Sequence, residues 1–278
     1  MIVDCHTHIH CADRDVSRAE HLVAAGSVDA CIVLASPAVT YGTNRPTGRT
    51  SSPGRNGGSN TINKELSEYV STHREKMVGF ALVDPVRDKV GLKNLRSLQE
   101  DLNLKGCVLY CCECGFHPAN SRAMRFYESA EQLGLPVFFH NAAPFSPAAV
   151  LDYAQPFLLD EVARTFSSLK IVIGRMGWPF VDQTLCMVGK HENLYADLTI
   201  QPDSLWQTYN MLVAAHEQAV MDKLLFGSAF PFTQPGPCME RLLGLNKMLG
   251  DTSLPTIPQG QVRGIIERDS LTLLGIKK

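Results

Sequence analysis

The sequence predicts a single (β/α)8 TIM barrel, and three observations carry that expectation. The chain has 278 residues, close to the roughly 250 that such a barrel closes around one core. Short runs rich in β-branched and aromatic residues recur along it, each followed by a longer stretch with apolar residues at helical spacing, the signature of repeated βα units. Counted from the amino terminus these runs number eight, as a closed barrel requires. A doubly wound open sheet is the alternative, since periodicity does not report closure. The absence of Gly-x-Gly-x-x-Gly after the first run counts against its dinucleotide-binding form.

Taken in order, the expected strands are Ile2–Cys5, Ala30–Ala35, Val78–Val83, Gly106–Tyr110, Pro136–His140, Lys170–Gly174, Asn193–Asp197 and Leu224–Gly227. Most are nearly continuous in apolar residues, as strands buried on both faces of a parallel sheet must be. Helical spacing is legible over Thr61–His73, Lys89–Leu102, Ser121–Leu133, Leu158–Phe166, Ser204–Val220 and Cys238–Leu249, with a last helix near Val262–Leu274. Tyr41–Asn60 breaks the rhythm: it is dense in Gly, Ser, Thr, Asn, Pro and Arg and too polar for a core. Because it follows the second strand, it is expected over the catalytic face, either as a surface loop or as a lid ordered by substrate. The whole of residues 1–278 reads as one domain.

Composition narrows the function classes. Hydrophobic residues make up 45% and charged residues 19%, enough to build an extensive interior. The net charge of −2 supplies no basic field for phosphates, so nucleic acid is excluded as the expected partner. No apolar run reaches the roughly 18 residues that span a bilayer. The nine cysteines are scattered without framework spacing, which fits reduced thiols and a cytoplasmic location. A homodimer is the base-rate expectation for assembly.

Chemistry concentrates at strand ends. Asp4-Cys5-His6-Thr7-His8 closes the first strand, and strand alternation puts His6 and His8 on one side of the chain. His140 closes the fifth strand and should point into the same mouth. Three neutral imidazoles with a water would satisfy a tetrahedral zinc ion, the most suitable divalent metal for such a set. Cys5 and Thr7 should point away and receive no catalytic role.

The ordered series His6-Thr7-His8, Val78 to Pro85, Gly134 to His140, Ile173-Gly174-Arg175-Met176-Gly177-Trp178-Pro179 and Leu225 to Pro231 resembles the amidohydrolase superfamily over nearly the whole chain. The resemblance is to the amidohydrolase-related branch that includes aminocarboxymuconate semialdehyde decarboxylase and the resorcylate decarboxylases. It implies that His6, His8 and His140 are metal ligands. It also exposes two departures. Arg175 stands where the branch has a histidine, and Ala229 stands where the turn after the last strand supplies an aspartate. The metal site therefore reads as degenerate, with weak or absent binding, because an anion is lost and a permanent cation is gained.

Arg175 then has two readings: it clamps a carboxylate or oxyanion, or it forms a structural ion pair with Asp197 or Glu113. Glu113, inside Tyr110-Cys111-Cys112-Glu113-Cys114, is a candidate acid or base, whereas the thiols beside it read as buried apolar groups. Tyr110, Trp178, Phe230 and Arg45 are the candidate substrate contacts, with Phe180 and Phe232 as further aromatic walls and Arg49 and Arg55 as further anion contacts. The catalytic candidates are thus Arg175, Glu113 and His140. The expected function is hydrolysis of a small organic acid, lactone or amide. Nonoxidative decarboxylation of an unsaturated or aromatic acid is the alternative, and a noncatalytic ligand-binding barrel is the contrasting class.

Overall fold

A computed structural model describes residues 1–9, 18–37, 59–141, 145–199 and 204–277. Eight parallel strands follow one another around the sheet in sequence order: β1 Val3–Thr7, β2 Ala30–Leu34, β3 Met77–Leu82, β4 Gly106–Leu109, β5 Val137–Phe139, β6 Ile171–Ile173, β7 Leu194–Thr199 and β8 Leu224–Gly227. The last strand returns to the first through a parallel bridge between Thr7 and Phe230. Main-chain bonds of 2.8 Å from the His8 amide to Phe230 and from the Ala229 amide to His6 secure that seam. The open-sheet alternative is therefore set aside.

The helices of the outer layer are α1 Arg18–Ala24, α2 Ser59–Thr72, α3 Leu92–Glu100, α4 Cys111–Cys114, α5 Ser121–Leu133, α6 Asp160–Thr165, α7 Val181–Lys190, α8 Leu205–Glu217, α9 Pro235–Leu243, α10 Gln259–Ile266 and α11 Ser270–Leu273. α5 is bounded as its sequence asks: the Asn120 side chain accepts the Arg122 amide, and Gly134 closes it at φ 64°. The stretch expected as one helix to Leu249 instead divides, because Gly244 ends α9 and a 3-10 turn covers Leu245–Leu249. The last expected helix likewise divides into α10 and α11, where Asp269 caps a new start by accepting the Thr272 amide. Three helices have no sequence expectation: α1 and α4 are short and carry few apolar positions in register, whereas α7 has ten residues with Val181, Leu185 and Val188 on one face.

Every strand residue is buried, so the apolar runs are covered on both faces. Of the polar segment read over 41–60, Ser59 and Asn60 begin α2; residues 41–58, with Arg45, Arg49 and Arg55, lie outside the described residues. Among the described residues no helix is long and apolar enough to cross a membrane. The described cysteines are thiols, and all but the exposed Cys186 are buried.

Candidate metal centre

The three histidines expected to converge do so. The Nε2 atom of His6 lies 3.0 Å from that of His8 and 3.1 Å from that of His140. One nitrogen from each can share an ion, and all three residues are buried. β1 delivers His6, the residue after its last paired position delivers His8, and His140 follows β5 directly. The measured edges fall a few tenths below the approximately 3.3 Å edge of a tetrahedron with zinc–nitrogen bonds of about 2.0–2.1 Å.

The far side of two of these rings decides which nitrogen faces the centre. His8 Nδ1 lies 3.1 Å from the Leu34 carbonyl, and His6 Nδ1 lies 2.5 Å from Oδ2 of Asp197. Both partners only accept, so each Nδ1 carries the proton and each Nε2 turns a lone pair inward. Lone pairs gathered this closely repel one another unless a cation lies among them, which is the donor set of a metal centre. Protonation is opposed as well. Burial, then the neighbouring His6 ring, pushes His8 down to about 3, and burial followed by the His6 and His8 rings holds His140 well below the ordinary imidazole range.

Asp197, in the sequence one of two candidate ion-pair partners for Arg175, meets that residue through its backbone: its Oδ2 accepts the main-chain N–H of Arg175 at 3.0 Å, the Thr199 hydroxyl at 2.6 Å and His6 Nδ1. The turn carrying Arg175 has left-handed backbone at Arg175 (φ 48°) and Met176 (φ 53°), and this is the turn that presents the amide to Asp197. Burial alone would raise the Asp197 carboxyl, but the adjoining His6 ring and these hydrogen bonds together hold it below its ordinary value. The site thus retains a carboxylate on β7, which the charge count from Ala229 and Arg175 leaves out. The signal available in the sequence was the shared parity of Asp197 and Thr199 at the end of β7, opposite a strand that ends in glycine.

Other expected residues surround this group in different ways. Tyr110 is fully buried, stacks on His140 with ring centroids 4.7 Å apart, and donates its hydroxyl to the Ala35 carbonyl. Arg175 is half-buried, and its positive charge is among the influences that depress His140. Glu113 accepts from Ser146, at 3.0 Å from the amide and 2.5 Å from the hydroxyl, rather than pairing with Arg175. Trp178 is partly buried against the core, Phe232 is exposed, and the Phe230 ring packs on His21 at 5.2 Å. Thr7 points away from the ligand pair, bonding Ile32 and His21, whereas Cys5 reaches to 3.8 Å from Oδ1 of Asp197. Behind the histidines, the buried Asp4 accepts the amide and hydroxyl of Ser228, tying β1 to the turn after β8.

The family profile described as Amidohydrolase matches residues 3–267. The chain belongs to the amidohydrolase family. No curated protein matches it. Its fold is similar to that of a protein from Acinetobacter baumannii assigned as a 2-pyrone-4,6-dicarboxylic acid hydrolase, with citric acid bound (14% identity, 99% of each chain, TM-score 0.64). It is also similar to a 2,6-dihydroxybenzoate decarboxylase complexed with 2,6-dihydroxybenzoate (15% identity, 99% of this chain and 98% of that chain, TM-score 0.64). A third likeness is to a 5-carboxyvanillate decarboxylase from Novosphingobium aromaticivorans with bound manganese (12% identity, 95% of this chain and 83% of that chain, TM-score 0.61). At these identities the likeness establishes the amidohydrolase fold.

Proposed function

We propose that this amidohydrolase-family chain is a metal-assisted enzyme that hydrolyses a lactone or amide bond in a small organic carboxylate. The observation that carries this reading is the convergence of the His6, His8 and His140 Nε2 atoms, two of them with Nδ1 committed to an acceptor. A divalent metal such as zinc, held by these three residues, would supply a polarised carbonyl or a water with pKa lowered toward about 7. The chain's own residues do the rest. Arg175, whose charge bears on His140, holds the substrate carboxylate or the developing oxyanion. Tyr110 packs His140 in place from behind, and Trp178 walls the apolar side of the substrate. Glu113 moves the proton only if its bonds to Ser146 open, so it takes the acid–base role second to a water in the mouth.

Nonoxidative decarboxylation is the second reading, favoured by the decarboxylases of the same fold, one of which carries manganese. Both readings share a carboxylate-bearing substrate and the same three ligands. The test is a panel of carboxylated lactones, amides and phenolic acids offered to the zinc-, manganese- and cobalt-loaded chain, with ring opening or amide cleavage scored apart from carbon dioxide release. Hydrolysis that His140→Ala reduces at least a hundredfold is the expected result. Carbon dioxide release instead would transfer the assignment to the second reading. No turnover with any loaded form or with the metal-free chain would end both and leave a ligand-binding barrel.

A further inference from the structure

Among the described residues, a carboxylate reaches the three histidines not from the turn after β8, where Ala229 stands, but from β7, two strands away from His6. Three facts explain how it gets there. Asp197 is fully buried, yet its carboxylate is surrounded by donors: His6 Nδ1 at 2.5 Å, the Thr199 hydroxyl at 2.6 Å and the Arg175 amide at 3.0 Å. A buried carboxylate so fully satisfied keeps its charge and its orientation. Between β7 and β1 runs β8, and the residue of β8 that lies under this contact is Gly227. A Cβ at Gly227 would run into Oδ1 of Asp197 and come within 2.9 Å of the His6 Cβ. The glycine therefore leaves the gap through which a β7 side chain reaches a β1 side chain.

Resting on the metal reading above, we propose that Asp197 is the positioning residue of the metal centre. It accepts the Nδ1 proton of His6, so that Nε2 of His6 faces the ion, and Gly227 is the position that makes this contact possible. Asp197 touches neither ion nor substrate. Its carboxylate raises the basicity of the His6 ligand and supplies, from behind the ligand, the charge that Ala229 does not supply beside the ion.

The test combines metal affinity with a spectroscopic signature. Co2+ titration of the purified full-length chain, followed by visible absorption, is expected to show Asp197→Asn binding 10- to 100-fold more weakly than native, the usual consequence of losing such a partner. Gly227→Ala is expected to weaken binding comparably, because its Cβ would displace the Asp197 carboxylate and crowd the His6 Cβ. In the proton spectrum, the His6 Nδ1–H should give a far-downfield, exchange-protected signal that moves upfield in Asp197→Asn. Circular dichroism of each variant reports folding separately.

Equal Co2+ affinity in native and Asp197→Asn, or a His6 Nδ1–H signal that does not move between them, would overturn the proposal. If Asp197→Asn does not fold, the Gly227→Ala affinity and its His6 signal decide instead. A native chain that binds no Co2+ would remove the metal reading. The His6 signal of the metal-free chain then decides the positioning role, supporting it if the signal moves in Asp197→Asn and overturning it if the signal is unchanged.

Discussion

Ala229 sits with φ 53°, in the left-handed region that an alanine adopts at a cost and that aspartate tolerates better through local hydrogen bonding. Its amide is fixed to the His6 carbonyl at 2.8 Å, so a longer side chain here starts from a backbone already anchored beside a ligand. Ala229→Asp is thus expected to fold and to bind Zn2+ about tenfold more tightly. At about 4 Å a carboxylate and a cation attract by about 4 kcal/mol per unit charge at an effective dielectric near 20, but burying the carboxylate offsets most of that gain. Adding Arg175→His should raise affinity further, since it removes a permanent cation whose charge is felt at His140. Competition titration against a chelator reads both, and an unchanged affinity in Ala229→Asp would mean that the side chain at 229 does not face the ion. At this scale the sequence was legible where chemistry follows strand parity, as with His6, His8 and His140. It was illegible where a partner is created by a gap: nothing in β7 alone pairs Asp197 with His6, because the pairing depends on a missing Cβ in β8.

Single elements of the outer layer are tied to the barrel through buried polar groups, and the clearest is α1. His21, only 1% exposed, bonds Thr7 of β1 through Nε2 at 2.9 Å and Tyr69 of α2 through Nδ1 at 2.7 Å. Thr7 donates to the Ile32 carbonyl, so it accepts from His21, and the remaining nitrogen of a neutral ring accepts from Tyr69. Burial, followed by the charge of His73, pushes His21 down to about 4. Arg18, over the Tyr69 ring at 5.8 Å, adds a further cation to this neighbourhood. The unfolded chain takes up this proton near pH 6.5 and the folded chain only near 4. The contribution is therefore complete above about 6.5 and lost progressively as pH falls toward 4, amounting to about 3 kcal/mol at most. Urea unfolding at a series of pH values should show this loss in the native chain and a flatter profile in His21→Gln; parallel profiles would exclude His21 as the source. A sequence shows such an element poorly: α1 has seven residues, and its anchoring rests on one histidine rather than on an apolar stripe.

Across the whole molecule, the eight-strand rhythm was legible because a parallel barrel buries every strand on both faces and so writes each one as an apolar run. What the runs do not record is how the interior divides space between large and small residues. Gly106 of β4 pairs with Phe80 of β3, and the Phe80 ring lies over it so closely that a Cβ would meet ring atoms at 2.6–2.7 Å. Phe80 is fully buried, so its ring can yield only by displacing its neighbours in a close-packed interior. Gly106 thus makes room for packing, whereas Gly227 makes room for the hydrogen bond between Asp197 and His6. The two glycines should separate stability from binding when each is changed to alanine. Gly106→Ala is expected to lower unfolding stability by about 1–3 kcal/mol, the usual cost of overpacking, while leaving Co2+ affinity within twofold of native. Gly227→Ala should lose affinity by tenfold or more. Denaturant midpoints at constant m-value measure the first and metal titration of the folded variants the second. If Gly106→Ala weakened Co2+ binding as much as Gly227→Ala does, the centre would be responding to general loosening of the barrel, and the specific contact between Asp197 and His6 would lose its support.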